Sequence, residues 1–588
     1  MHQAGASRRR GREGGPPLLT KEGQGVVSRH QSMHIRLIGI VIVLLTLITG
    51  LATLPDYGLT WDEPGNFAAG RVYVEYLLTH DARYLRPDMH YDLTRSFPFV
   101  LDPRLAIYPP VANTLASFSS LLFAEKLHIL SINTAHHVIG IVFGAILVGS
   151  VYALTFLVSR SLHLSVFTGL ATFLYPSFFA QIHNNTKDIP LIALFTLTIT
   201  LFVAGMKKQN VLLTLLSGVA LGFSLATKFN AIFILPILFI WLTLAFHNRI
   251  KIDKQKKLFY VEKIRVDIFL FPLVGFATMI AVWPWLWADP ARRLLEVVQY
   301  FLSAGWGLPV YYLGHMVSAG VNTPWHYPWV AIAIQTPPLL LATAIIGLAF
   351  SISQTRKNPY LLLFPIWFFL PLLRFFSPNI IIYSGLRHVL ETIPAVIILS
   401  GIGLKAILTV SPPPRWPEWT PRMVDGMKQV PESIAFGIGI LILAHMAVID
   451  IRTYPFQSSY FNIFAGGARG AEKIMDVEFW GESAKQALDY FEALPGNKKL
   501  VYMCDTYHLA RVYPTKTLTF VRDPKQAEYV YLLNNYSWFG PTFVKDALPY
   551  GEILKTIAVD ETPIGYLLKH KPNTPFPPCT KSDVQPPV

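Results

Sequence analysis

Between His34 and Asp450 the chain returns again and again to apolar runs about twenty residues long, and this repetition constrains the fold more than any other feature. Each run is long enough to cross a hydrocarbon layer of about 30 Å as a helix. Eleven such runs are expected, over residues 35–54, 134–158, 164–182, 188–206, 211–227, 230–247, 267–287, 328–352, 359–376, 388–407 and 433–450. They lack the period-2 alternation of barrel strands, so helices are the spanning element. Only 15% of residues are charged, against about 25% in a soluble globular chain. With 39 Phe, 26 Tyr and 13 Trp, the composition is too apolar for a disordered one. The reading is a polytopic α-helical membrane protein of about eleven spans.

The net charge of +14 is spread over short connections rather than gathered in one aromatic-lined groove, so a nucleic-acid partner is not expected. Positive-inside bias accounts for it. Residues 1–33 carry Arg8, Arg9, Arg10, Arg12, Lys21 and Arg29 and no small-residue cleavage site follows the first run, which reads as a cytoplasmic tail before an uncleaved span. The basic connections at Arg160–His163, Lys207-Lys208, 248–266, Arg356-Lys357 and 408–432 then fall on that same side. The expected division is a tail over 1–33, a membrane domain over 34–450 with extracytoplasmic loops at about 55–133 and 288–327, and an extracytoplasmic region over 451–588. In a bacterium the location would be the inner, cytoplasmic membrane. The last region reads as a small α/β domain, with strands in "KLVYMCD", "AEYVYLLNN" and "TPIGYLLKH", a helix over Glu482–Ala493 and a Pro-rich tail from Lys571. Pro290–Ser303 reads as a surface helix. Cys504 and Cys579 both lie in this C-terminal region, and whether they pair is left open.

Polar residues at span ends are the candidates for chemistry. Asp62 and Glu63 stand together in Thr60-Trp61-Asp62-Glu63-Pro64, just beyond the first span. Two carboxylates at a membrane surface are costly to desolvate, and one of them can take a proton from a hydroxyl; the plainer reading is that Asp62 caps a following helix. Asp188 sits in His183-Asn184-Asn185-Thr186-Lys187-Asp188-Ile189-Pro190, on the same side, with helix capping again the alternative. Asn184-Asn185-Thr186 matches a glycosylation sequon but lies against the membrane. Lys228 in "ATKFN" and Arg387-His388 in "SGLRHVLE" place cations on the outer side, where positive-inside bias would not, and invite a phosphate. Against that stand snorkelling for Lys228 and an i,i+4 pair with Glu391 for Arg387. Trp283, Trp285, Trp287, Trp325, His326, Tyr327 and Trp329 form an interfacial aromatic belt, with Trp325–Tyr327 as a second-choice lining of a sugar or lipid cavity.

The sequence holds no Walker A loop, dinucleotide glycine fingerprint, HExxH or paired CxxC. A lone acid such as Asp188 supplies too few ligands to argue for a metal, so no cofactor is firmly expected, and a divalent cation near Asp188 stays open.

Taken together, "LTWDEPGNFAAG", "HNNTKDIPLIALF", "LGFSLATKFNA", "WPWLWADP", "TPWHYPWV" with "QTPPLLL", "GLRHVLETIPA" and "YPFQSSYFNIFAGGARG…EFWGES" resemble, in order and spacing, the bacterial family 39 glycosyltransferases. These are relatives of the protein O-mannosyltransferases and of the aminoarabinose transferase of lipid A, within the GT-C superfamily. The resemblance implies a GT-C-type membrane domain and an inverting transfer of sugar from a polyprenyl-phosphate donor to a hydroxyl on protein, lipid or envelope glycan. It implies that Asp62 of the Asp62-Glu63 pair is the base, that Asp188 orients the acceptor or supports a cation, and that Arg387 and His388 meet the donor phosphate. Lys228 falls in a family-like element without a settled role. The β-trefoil domain of the eukaryotic mannosyltransferases has no counterpart. A lipid-linked sugar flippase without chemistry is the alternative, and it leaves Asp62-Glu63 and the large loops without a task.

Overall fold

A computed structural model describes residues 29–85, 105–246, 250–253, 258–261, 265–303, 307–409, 432–504, 506–577 and 579. The basic tail over 1–28, part of the first loop, parts of the connection 248–266 and most of the connection 408–432 lie outside the described residues. Every expected apolar run is found on helix, but not every one is a simple span. Seven helical stretches are long and apolar enough to cross a membrane alone, among them Met33–Asp56, Ile132–Ser159, Asp188–Lys208, Gly385–Ile407 and Ile434–Arg452. Two further runs are broken pairs, which would bring the number to nine. The run at 164–182 bends by 55° between Leu162–Phe173 and Pro176–Asn184, and that at 328–352 bends by 119° between Tyr327–Gln335 and Pro338–Ser353. Proline explains both breaks: Pro176 opens one half-helix, and Pro337-Pro338 removes two N–H donors where the second pair turns. The runs at 211–227 and 267–287 are the shorter helices Val211–Leu225 and Val266–Ala281. Among the described residues the eleven runs are thus seven full helices, two bent pairs and two short helices.

The long helix α4 (Ile132–Ser159) is central: it packs on α1 (Arg29–Thr53), α5 (Leu162–Phe173), α6 (Pro176–Asn184) and α7 (Asp188–Lys208). A second closely packed pair, α13 (Pro338–Ser353) and α15 (Ile393–Thr409), meets through glycine. A Cβ at Gly347 would strike the Leu399 carbonyl oxygen, and one at Gly403 that of Thr343. Close backbone approach of this kind is how apolar helices associate where lipid is as apolar as they are.

Between the spans, α2 (Glu63–Thr79) and α3 (Val111–Ser120) lie in the first loop, and α11 (Pro290–Ser303) occupies its expected place. The segment after α11 forms a two-stranded hairpin, β3 (Pro309–Tyr312) with β4 (His315–Ser318). Its two-residue loop has Leu313 at φ 50° and Gly314 at φ 81°, the left-handed pair a tight hairpin turn requires. A second hairpin, β1 (Ile250–Asp253) with β2 (Leu258–Val261), sits in the connection before α10 (Val266–Ala281).

The C-terminal region is an α/β unit built on a five-stranded sheet of order β6-β5-β7-β9-β8. Three expected strands appear as β5 (Lys499–Met503), β7 (Tyr529–Leu533) and β9 (Thr562–Lys569), with the expected helix over Ala484–Ala493. The two strands not anticipated, β6 (Leu518–Phe520) and β8 (Glu552–Val559), are the edges. One is three residues long and the other is mostly exposed, so neither has the apolar pattern that marks a buried strand. Cys504, one residue past β5, is disulfide-bonded to Cys579, which ties the Pro-containing tail to the sheet. The described part of that tail, through Cys579, packs back on the sheet, with Phe576 buried against His570.

Candidate active site

α2 begins at Glu63, and Asp62 occupies its N-cap position, yet the Asp62 side chain makes no capping bond. Glu63 does that work instead: its Oε2 accepts the Thr60 N–H at 2.8 Å. Its Oε1 lies 2.8 Å from His137 Nε2 on α4, a close polar contact rather than an aligned hydrogen bond. Glu63 is fully buried, and burial pushes its carboxyl up against the opposing pull of His137. The anchoring of Glu63 leaves Asp62 on the other side of the peptide.

Asp62 is 28% exposed at the side chain and meets Arg387 Nη2 directly, with Lys187 Nζ 3.9 Å away. Burial alone would raise the Asp62 carboxyl, but the Arg387 and Lys187 charges outweigh it and hold the group below the usual carboxylate range. Arg387 is shared. Its Nε donates to Asp188 Oδ2 at 3.1 Å, and the Asp188 Oδ1 takes Lys228 Nζ at 2.5 Å. Asn185 Nδ2 adds a bond to Asp188 Oδ2 at 3.0 Å, and Asn185 Oδ1 receives the Asp188 N–H at 2.8 Å. Four segments distant in sequence therefore converge on one alternating chain of charge, Lys187–Asp62–Arg387–Asp188–Lys228.

These pairings replace the local readings. Glu391 pairs with Arg374 at 2.9 Å and with Asn230, not with Arg387. Asp188 is held by three side chains and Lys228 is an ion-pair partner rather than a snorkelling cation. Asn184, in the sequon, is buried and donates to the Gly58 carbonyl and to Glu482.

Asp62, Lys187, Lys228, Arg387 and His388 open together on a cavity of about 680 Å³. Arg374 joins them, donating to the His388 carbonyl, as do Tyr108, Tyr300 and Tyr383. Asn230 and Asn379 also line it, and the rest of the wall is apolar: Phe229, Ile232, Phe233, Val298, Phe301 and Ile381 among others. His388 Nε2 is buried without a hydrogen-bond partner among the described residues. A loop of the C-terminal region closes the charged end from behind: the Arg387 guanidinium lies 4.5 Å over the Trp480 ring, and the Trp61 N–H donates to the Trp480 carbonyl at 2.8 Å.

The remaining expected residues lie elsewhere. Glu63 does not line the cavity. Trp325 is exposed and stacked on Phe376, His326 Nδ1 meets the Tyr312 hydroxyl at 2.7 Å, and buried Tyr327 accepts the Gly385 N–H at 3.0 Å. None of the three faces the cavity. Lys187 and Arg374 were not singled out from sequence. Lys187 had a usable signal beside Asp188, whereas Arg374 in "PLLRFFSP" looks like any cation at a span end. Trp480, inside "EFWGES", carried no signal for its contact with Arg387.

No group of three His, Cys, Asp or Glu among the described residues could hold a metal ion, and both oxygens of Asp188 are already taken by cations and an amide. These residues do not fit such an ion.

Residues 108–276 match the family model described as dolichyl-phosphate-mannose-protein mannosyltransferase. The match is to a family of membrane glycosyltransferases. The matched segment is under a third of the chain and includes Lys187, Asp188 and Lys228, while Asp62 and Arg387 lie outside it. Among solved structures, the chain is similar to apo ArnT from Cupriavidus metallidurans, at 14% identity, TM-score 0.48, over 91% of this chain and 98% of that one. ArnT from the same organism bound to undecaprenyl phosphate is similar at 14% identity and TM-score 0.45, over 92% and 98%. The oligosaccharyltransferase of Archaeoglobus fulgidus, tethered to an acceptor peptide, is similar at 12% identity and TM-score 0.47, over 92% and 74%. No curated protein matches the chain in sequence.

Proposed function

We propose that this chain is a GT-C glycosyltransferase that moves a sugar from a polyprenyl-phosphate donor to an acceptor hydroxyl on a protein, a lipid or an envelope glycan, at the outer face of the cytoplasmic membrane. The observation that carries the reading is the single cavity in which Asp62, Arg387, Lys228 and His388 meet a wall of Phe, Ile and Val. A ligand with a phosphate at one end and hydrocarbon at the other suits such walls: the cations take the anion and the apolar side takes the chain. The Cys504–Cys579 disulfide supports an oxidising, extracytoplasmic compartment for the C-terminal region. That region packs on the charged end of the cavity through Trp480, so the site shares its side of the membrane. The division into a tail over 1–33, a membrane domain over 34–450 and an extracytoplasmic region over 451–588 belongs to the same proposal.

In this reading Arg387, Lys228 and His388 stabilise the charge on the departing phosphate, so no separate acid is needed. Asp62 removes the acceptor proton as the hydroxyl oxygen attacks the anomeric carbon. That oxygen–carbon bond forms as the bond to phosphate breaks, with inversion. Without donor, Asp62 is tied to Arg387 and is a weak base. A donor phosphate competes for Arg387 and thereby restores basicity to Asp62, so the base is armed only when there is something to transfer. Asp188 keeps Arg387 and Lys228 in place between turnovers. Glu63 is a positioning residue that fixes the turn presenting Asp62.

The test is transfer of labelled sugar from polyprenyl-phosphate donors by the reconstituted full chain, wild type against Asp62→Asn. A general base contributes about 10²–10⁴-fold, so a loss of that size with unchanged thermal stability is expected. Equal transfer by both proteins would remove Asp62 from the reaction. Lipid movement in liposomes with no transfer by the wild type would establish a flippase instead.

A further inference from the structure

The mechanism above gives the C-terminal region no task, yet that region grips the chain at the two working groups, Asp62 and Arg387. Trp480 reaches both. The Arg387 guanidinium lies 4.5 Å over its ring, and its carbonyl accepts the N–H of Trp61, the residue before Asp62, at 2.8 Å. Two more groups of the same region hold that stretch of backbone. His508 Nε2 donates to the Trp61 carbonyl at 3.2 Å, and the Tyr513 hydroxyl accepts the Leu59 N–H at 2.5 Å. The Trp61 ring is held as well: it meets His508 edge to face at 4.3 Å between centroids and stacks on Trp538 at 5.3 Å. His508 follows β5 and Trp538 follows β7, two neighbouring parallel strands, so this grip comes from the carboxyl end of the sheet. Open α/β sheets hold their ligands at that end, and here it holds the turn before the base.

Trp480 keeps its place through the carboxylate behind it. Glu478 Oε1 accepts the N–H groups of Trp480, Gly481 and Glu482 at 2.8, 2.7 and 3.3 Å, and its Oε2 accepts the Ser483 hydroxyl at 3.3 Å. Glu478, Trp480, Glu482 and Ser483 are all buried. A Cβ at Gly58 would lie 2.2 Å from the Glu482 carbonyl oxygen, so this segment and the chain leading to Asp62 run at backbone contact. It is a fixed platform, not a lid.

The contact with Arg387 suits a cation that must change partners. A guanidinium carries five N–H donors around its edge and two flat faces. Asp62 and Asp188 take edge donors, and an incoming phosphate needs them too. An aromatic ring restrains the cation through its face and competes for none of them. Arg387 can then exchange Asp62 for phosphate without losing its place.

We propose that the C-terminal region is a positioning element of the active site: Trp480 holds the Arg387 guanidinium, and Trp480 with His508 holds the turn that presents Asp62, at one spacing across the donor phosphate. The proposal rests on the reading of Asp62 as base and Arg387 as phosphate ligand, and it adds residues that act through those two.

The test separates donor binding from turnover in the full chain. Undecaprenyl phosphate binding is measured in lipid nanodiscs, and kcat and the donor KM are measured in the transfer of labelled sugar. Trp480→Leu keeps an apolar side chain but no aromatic face. It should weaken undecaprenyl phosphate by about fivefold, the order of one cation–π contact, and raise the donor KM. Trp480→Phe keeps a face and should retain most of the affinity. His508→Leu should lower kcat by about tenfold or more while undecaprenyl phosphate binding and the donor KM stay those of the wild type, since a displacement of about 1 Å at a reacting group costs up to about 10²-fold. His508→Gln keeps a donor at similar reach and should restore most of kcat. Wild-type behaviour of Trp480→Leu or of His508→Leu would overturn the proposal. So would losses that Phe and Gln do not rescue and that follow a fall in melting temperature, because those describe a docking contact alone. A wild type that neither binds undecaprenyl phosphate nor transfers sugar would instead count against the donor reading, so the two failures are distinct. If Trp480→Leu does not fold, the two His508 variants decide.

Discussion

Asp62 and Glu63 are neighbours in sequence with opposite fates. Glu63 is sealed against His137 and the Thr60 N–H, and Asp62 faces the cavity and its cations. Their substitutions should therefore separate stability from chemistry. Glu63→Leu leaves a buried histidine and a buried N–H without partners, a loss of about 3–5 kcal/mol when one member of a buried pair is removed. A fall in melting temperature is expected for Glu63→Leu, a much smaller one for Glu63→Gln, which keeps the Thr60 contact. Asp62→Asn should melt like the wild type and fail in transfer. Equal melting of Glu63→Leu and wild type would show that the pair with His137 does not anchor the turn. At this scale the residue types and their place at span ends were legible in sequence, but the division of labour between two adjacent acids was not. It depends on which of them α4 confronts, and His137 lies 74 positions away in a chain whose local pattern treats both acids alike.

Helices set the site's geometry through close contact more than through propensity. α15 continues directly from the turn Gly385–Thr392 that carries Arg387 and His388, and it lies against α13 at backbone distance through Gly347 and Gly403. Adding a methyl group at Gly347 forces the Leu399 carbonyl, and with it α15, outward. Overpacking of this kind costs about 1–3 kcal/mol. Gly347→Ala should lower the melting temperature and raise the KM for the polyprenyl-phosphate donor, because Arg387 shifts with its helix. Gly437, where a Cβ meets open space, provides the control: Gly437→Ala should change neither. Hydropathy identified these helices, since length and apolarity are local properties. It could not show that two of the runs break at proline into bent pairs, because a proline in an apolar run is compatible with a kinked span as well as with a turn.

Across the whole molecule, the C-terminal region is joined to the membrane domain by a buried acidic strap. Glu482 accepts from the Ser458 hydroxyl and from Asn184 Nδ2, beside the loop that holds Asp188. Burial, reinforced by neighbouring Glu478, pushes its carboxyl up to about 8 from an ordinary 4.5. Burial raises Glu478 to about 7, although three backbone N–H groups and Ser483 pull against it. Both groups favour the protonated form in the fold. Their contribution to stability is full below pH 4.5 and is lost as pH rises through about 7 and about 8. The melting temperature should thus decline as pH rises through this window, and Glu482→Gln, which cannot ionise, should flatten the decline. An unchanged slope in Glu482→Gln would place the pH dependence elsewhere.

The sequence by itself determined that this chain enters a membrane, which residues stand at its span ends, and where three strands of the C-terminal sheet lie. Apolar runs, span-end charges and strand patterns are written over a few to twenty consecutive residues. Tertiary structure alone decided which charges meet. Arg387 reaches past Glu391, four residues on, to Asp62 and Asp188, 325 and 199 positions away. A helix offers its i+4 neighbour only a few tenths of a kcal/mol. A buried cavity in which every ion must find a partner enforces far more, and that demand exists only once the helices have packed.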